Sequence, residues 1–174
     1  PVQTEKLYKK AIELAGLKGT ETVIDAYCGI GTIGLIASSK AKNVISMELN
    51  PDAVKDAIVN AKINGIKNVR FYKADAGQFL TQMAEEGAKA DVLLMDPPRS
   101  GSTEEFLQSA ALLGPEKMVY ISCNPVTLGR DLMVLRKLGY RAEEVWPVDM
   151  FPWSGHVETV VLLSHKKADS YIHI

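Results

Sequence analysis

Residues 25–34 read DAYCGIGTIG, with glycines at 29, 31 and 34 in a G-x-G-x-x-G spacing directly after the β-rich run TVIDA at 22–26. Glycines so spaced let a chain turn sharply out of a strand, approach a ligand closely and enter a helix. Glu48 closes the next β-rich run, where a carboxylate can take ribose hydroxyls. Taken alone, the pattern fits a dinucleotide, S-adenosylmethionine, or no more than a tight strand-to-helix turn.

Asp25 separates the two ligands. An acid at the mouth of the loop repels a pyrophosphate resting on the helix N-terminus, but it suits the amino group and sulfonium of S-adenosyl-L-methionine. Asp75, ending the third run, is placed to meet the adenine amino group or to cap the helix that follows; the two roles are compatible.

Outward from the loop, β-rich runs at 22–26, 43–49, 68–74, 90–96 and 117–122 alternate with helical segments at about 32–40, 51–64, 76–86, 103–113 and 126–138. Asn50-Pro51 and Asn124-Pro125 mark two helix starts, and Gly65 and Gly139 two stops. An amphipathic helix precedes them all, with Thr4 as its expected N-cap and Leu7, Ala11, Leu14 and Ala15 on its apolar face. Between YRAEEVWPV and HVETVVLLS lies only DMFPWSG, too short for a parallel crossover. The expected fold is therefore α/β and Rossmann-like: a mainly parallel seven-stranded sheet with an antiparallel last strand.

The 174 residues, 47% of them hydrophobic, suit one domain, and no window reaches the roughly 18 apolar residues of a membrane span. The N-terminus lacks the charged-then-apolar order of a signal peptide, so a cytoplasmic protein with no membrane partner is expected. Two cysteines without a CxxC and three late histidines give neither a disulfide scaffold nor a metal site. A net charge of −1 leaves no global footprint for nucleic acid, so any RNA grip must be local or supplied by other parts of a longer protein. The start at Pro1 and the alternating SYIHI at the end fit a segment of such a protein.

Two motifs name the chemistry. MDPPRSG (95–101) ends the fourth run with an acid held by two prolines, which stiffen the backbone so that Asp96 faces the crevice. Arg99 stands where amino-group methyltransferases usually carry a base-stacking aromatic, and it is suited to a phosphate, a carboxylate or simply solvent. In ISCNPVTLGRD (121–131), Cys123 immediately precedes a helix N-terminus, an environment that favours the thiolate. Cys28 is expected to pack behind the cofactor and serves as its control. In GHVET (155–159), His156 and Glu158 share one strand face, and an antiparallel strand brings Glu158 to the rim shared by Asp25, Glu48, Asp75, Asp96 and Cys123. A thiolate added at C6 of a pyrimidine makes C5 nucleophilic toward a sulfonium methyl, and a base must then remove the C5 proton. Glu158 is the candidate base.

DAYCGIGTIG, MDPPRSG, YISCNPVTLGRDL and DMFPWSGHVET, in this order, resemble the RNA 5-methyluridine, or (uracil-5-)-methyltransferase, family. The resemblance implies Cys123 as nucleophile, Glu158 as base, and S-adenosyl-L-methionine held by Tyr27, Gly29, Gly31, Thr32, Glu48, Asp75 and Asp96. Tyr27 replaces a phenylalanine and Thr32 an asparagine common in such enzymes. It implies an RNA substrate, with ribosomal RNA, 23S in particular, favoured over transfer RNA, and residues 1–174 as the catalytic domain. Gln3 is not in the place of the family's upstream aromatic-x-glutamine, and the N-terminal RNA-binding region, which carries an iron-sulfur cluster in some members, has no counterpart here. Two other readings stay open: methylation of an exocyclic nitrogen with Cys123 structural, and a cofactor-binding module without turnover of its own.

Overall fold

The computed structural model describes residues 2–150 and 157–165. In chain order the elements are α1 (Val2–Ala15), β1 (Thr22–Ala26), α2 (Thr32–Ser38), β2 (Asn43–Glu48), α3 (Pro51–Ile63), β3 (Val69–Lys73), α4 (Ala76–Glu85), β4 (Val92–Met95), α5 (Glu104–Leu113), β5 (Lys117–Ser122), α6 (Pro125–Lys137), β6 (Tyr140–Asp149) and β7 (Val157–His165). The strands form a seven-stranded sheet in the order β3-β2-β1-β4-β5-β7-β6. β1 to β5 pair in parallel, and β7 lies antiparallel between β5 and β6, as the short β6–β7 connection requires.

β-Alternation divides the sheet into two faces. Ile24, Leu93, Met118 and Tyr120 point to one side, into a core closed by residues such as Leu80, Leu107 and Leu135 of α4, α5 and α6. Val23, Leu94, Val119 and Ile121 point to the other, under Leu7, Ile12 and Ile33 of α1 and α2. Each such fully buried side chain contributes roughly 1.5–3 kcal/mol, so the two faces together fix the register of every central strand.

Helix entries follow local chemistry. The Asn50 side chain accepts from the backbone N–H of Asp52 and Ala53, and the Asn124 side chain from that of Val126, each with proline in the first turn. A cap of this kind is worth about 1 kcal/mol. At the chain start the expectation fails: α1 already includes Val2, so Thr4 lies inside the helix and caps nothing. Leu7, Ala11, Leu14 and Ala15 do form its buried face, joined by Ile12.

The strand order reverses between β1 and β4, which opens a crevice outside their carboxyl ends. The glycine loop after β1 and the DPPRSG loop after β4 border it from either side.

Candidate functional site

The chain leaves β1 through three left-handed residues, Tyr27 (φ 59°), Gly29 (φ 53°) and Gly31 (φ 87°). Tyr27 is the one non-glycine with positive φ among the described residues, a strained conformation of the kind that clusters at ligand sites. The loop is tied to β2: Glu48 Oε2 accepts from the Gly29 N–H at 3.0 Å while Oε1 accepts from the Asn50 N–H at 2.9 Å. Gly34 permits the closest approach. A Cβ there would sit 2.5 Å from Asp25 Oδ2 and 2.9 Å from Ser46 Oγ.

Asp25 does not stand at the rim as its sequence position suggested. It is 1% exposed, beneath the loop, where Oδ2 accepts from the Gly34 N–H at 3.1 Å and more weakly from the Ser46 hydroxyl at 3.5 Å. Oδ1 is buried with no hydrogen-bond partner among the described residues, so the carboxylate has an unused acceptor of the kind an ammonium satisfies. Burial, reinforced by the nearby Asp96 charge and opposed by the Gly34 N–H, pushes its pKa up to about 8. The group is then largely neutral at neutral pH until a cation arrives. Because the folded state holds this proton and the unfolded chain, with a pKa near 3.8, does not, stability falls as pH rises from about 4 to about 8. Asp96 acts in the same sense over the lower part of that window. We expect urea midpoints of the cofactor-free protein to decline across it and the decline to flatten in Asp25→Asn; parallel curves for the two proteins would contradict this.

A cleft of about 630 Å³ runs from the glycine loop along the ends of β2 and β3, lined by Tyr27, Glu48, Leu49, Asp75, Ala76 and Phe106 among others. Tyr27 and Phe106 meet with ring centroids 4.9 Å apart and form one wall. Asp75 caps α4 by accepting from the Gln78 N–H at 2.9 Å and also lines the cleft, so both of its expected roles coexist. Apolar walls beside the carboxylates of Glu48 and Asp75 suit a ribose and an adenine. The orphaned Asp25 oxygen and the glycine turn match the amino-acid end of the same cofactor. Thr32 opens α2 and is exposed, while Gly29, Gly31 and Asp96 border the crevice rather than the cleft.

The second half of the site is set by strand register. Ser122 pairs with Thr159 across β5 and β7, so the next residue on each strand, Cys123 and Glu158, emerges at the same rim. Asp96 follows Met95, which pairs with Tyr120 of β5, and completes the group. All three are half-buried, and the carboxylate charges of Glu158 and Asp96 both act on the thiol. The expected thiolate is not the resting form: burial and then the Glu158 charge raise the Cys123 pKa, against the lowering by its own helix-entry N–H and by Arg99. Desolvation and the two carboxylate charges outweigh the opposing N–H and Arg99 here. Burial and the Glu158 charge push Asp96 up to about 6, and burial raises Glu158, with Arg99 opposing. Cys28 is buried, its thiol pushed up to about 12, in keeping with a packing role. His156 and most of DMFPWSG lie outside the described residues.

Two contributors were not apparent in the sequence. Tyr8 of α1 is half-buried beside the second core, and the charges of Asp96, Asp25 and Glu158 raise its hydroxyl pKa further after burial does so. The Asn124 amide and the Thr127 hydroxyl both donate to the Arg99 carbonyl, at 3.2 and 3.1 Å, and tie the DPPRSG loop to the start of α6. Among the described residues no group of His, Cys, Asp and Glu side chains is arranged to hold a metal, and no helix is long and apolar enough to cross a membrane.

Residues 3–166 match the family model described as tRNA (uracil-5-)-methyltransferase. The chain belongs to this family. It is 49% identical over 166 residues to an uncharacterized RNA methyltransferase of Halalkalibacterium halodurans, covering 95% of this chain and 36% of that protein. It is 51% identical over 163 residues to another of that description from Caldanaerobacter subterraneus, covering 94% and 36%. The chain thus spans about a third of the length of these relatives. Among solved structures, it resembles the Pyrococcus abyssi tRNA (uracil-54, C5)-methyltransferase in complex with S-adenosyl-L-homocysteine: 29% identity, TM-score 0.75, covering 91% of this chain and 38% of that one.

Proposed function

We propose that this family member is a methyltransferase domain, residues 1–174, that uses S-adenosyl-L-methionine to methylate C5 of a uridine in RNA through a covalent bond between Cys123 and C6. The observation that carries this reading is the register of β4, β5 and β7, which brings the thiol of Cys123 and the carboxylates of Asp96 and Glu158 together beside the crevice. Tyr27, Glu48 and Asp75 would hold the adenosine half of the cofactor, with Gly29, Gly31, Thr32 and Asp96 at its other end.

At rest the Cys123 proton is retained, so the nucleophile forms as the thiol hands its proton to a neighbouring carboxylate when uracil arrives. Sγ then bonds to C6, and the C5–C6 π electrons move onto C5 and the adjoining carbonyl. When bound, S-adenosylmethionine supplies an electrophilic methyl group that C5 takes while its bond to sulfur breaks. Glu158 removes the remaining C5 proton, the C5–C6 double bond reforms, and Sγ leaves with its electron pair. Sγ recovers its proton from the carboxylate that held it, Glu158 releases the C5 proton to solvent as the one net proton of the reaction, and no oxidant or reductant is needed.

The RNA favoured by the sequence motifs is ribosomal, 23S in particular. Transfer RNA is the second reading, supported by the description of the family model and by the Pyrococcus abyssi enzyme. The experiment is to incubate the full-length protein that contains this domain and S-adenosylmethionine with 5-fluorouridine-substituted ribosomal and transfer RNA transcripts. Fluorine cannot leave as a cation, so a denaturant-stable protein–RNA adduct is expected with one transcript class. Its absence with both would overturn the C5 reading and favour an exocyclic nitrogen target or a binding module without turnover.

A further inference from the structure

The last part of ISCNPVTLGRD has no role in the chemistry above, yet it carries a connected and largely buried polar network. Asp131 is 1% exposed; its Oδ2 accepts from the Ser102 N–H at 2.8 Å and from the Tyr120 hydroxyl at 2.5 Å. Its Oδ1 accepts from Arg130 Nε at 3.0 Å and Nη2 at 2.9 Å. Arg130 Nη2 reaches on to the carbonyls of Ser100 at 2.8 Å and Ser102 at 3.2 Å. Between those two carbonyls Gly101 has φ 76°, and a Cβ there would lie 2.6 Å from Arg130 Nη2 and 2.7 Å from Asp131 Oδ2.

A buried carboxylate with its acceptors filled is costly to disturb and therefore rigid. We infer that Arg130 and Asp131 are positioning residues: they lock the loop of Arg99–Ser102 onto the helix whose N-terminus carries Cys123, so that Arg99 and the thiol keep one fixed spacing. Neither touches the reacting atoms. Their effect passes through Arg99, whose charge acts on both Cys123 and Glu158. The spacing matters because an exposed charge loses its influence within several ångströms in water. A loop free to swing would weaken the cationic influence that opposes burial at both the thiol and the base.

The inference takes Cys123 as the nucleophile proposed above, and its test needs no RNA, so the two can fail separately. The pH dependence of iodoacetamide alkylation reports Cys123, since Cys28 is buried. Arg99→Met should move the midpoint upward by about 0.2–0.7 pH unit, the range for one exposed charge. Arg130→Met should move it in the same direction, and adding it to Arg99→Met should give no further shift. A bare Asp131 carboxylate acting through space would instead raise the midpoint in both backgrounds. Gly101→Ala, which crowds the clamp from the loop side, should reproduce the Arg130→Met shift and serves if that variant does not fold. Additive shifts, or variants that lower the melting temperature while leaving the midpoint unmoved, would overturn the inference.

Discussion

In Glu158→Gln, RNA remains covalently attached to the protein after methyl transfer. Glutamine keeps the shape of the half-buried side chain but cannot take the C5 proton, and without that step Cys123 has no route off C6. A positioned general base is typically worth about 10²–10⁴-fold in rate, so turnover should fall by that factor while the adduct accumulates. The formation step should not slow for lack of charge, because the Glu158 carboxylate raises the Cys123 pKa, and its loss makes the thiolate easier to form. The measurement is a denaturing gel with labelled methyl donor and unmodified RNA, in which a slow band should carry both label and RNA. Turnover near that of the parent protein would remove Glu158 as the base and direct attention to Asp96, whose pKa of about 6 also suits proton exchange near neutrality.

The features legible in the sequence are those that depend on neighbours in the chain. The G-x-G-x-x-G turn, the Asn-Pro helix starts and the antiparallel pairing of β6 with β7 each follow from a few neighbouring residues, and each appears in the fold as read. The errors arise where tertiary burial decides. Asp25 reads as a rim carboxylate by its place at a strand end, but Gly34 and Ser46 close over it. Cys123 reads as a thiolate by its place before a helix, but desolvation and two carboxylates from other strands reverse the sign. Tyr8 and the Arg130–Asp131 clamp could not be found by spacing at all, since their partners lie on separate elements.

Cys123→Ala should abolish the 5-fluorouridine adduct and reduce methylation to background, a fall on the order of 10⁴-fold or more if thiol addition is the step that makes C5 reactive. Removing one half-buried sulfur leaves the backbone caps of α6 in place, because Asn124 and Ser122 supply them. The variant should therefore fold, and its affinity for S-adenosylhomocysteine should stay within about twofold, since Cys123 does not line the cleft beside Tyr27, Glu48 and Asp75. Cys28→Ala should behave oppositely, retaining the adduct at full yield even though it alters packing behind the glycine loop. This pair of outcomes isolates the chemistry from the cofactor site. Preserved activity in Cys123→Ala would move the target from a carbon that needs activation to a nitrogen that does not. Loss of cofactor binding in the same variant would instead mean that the thiol supports the crevice, and the covalent reading would fall with it.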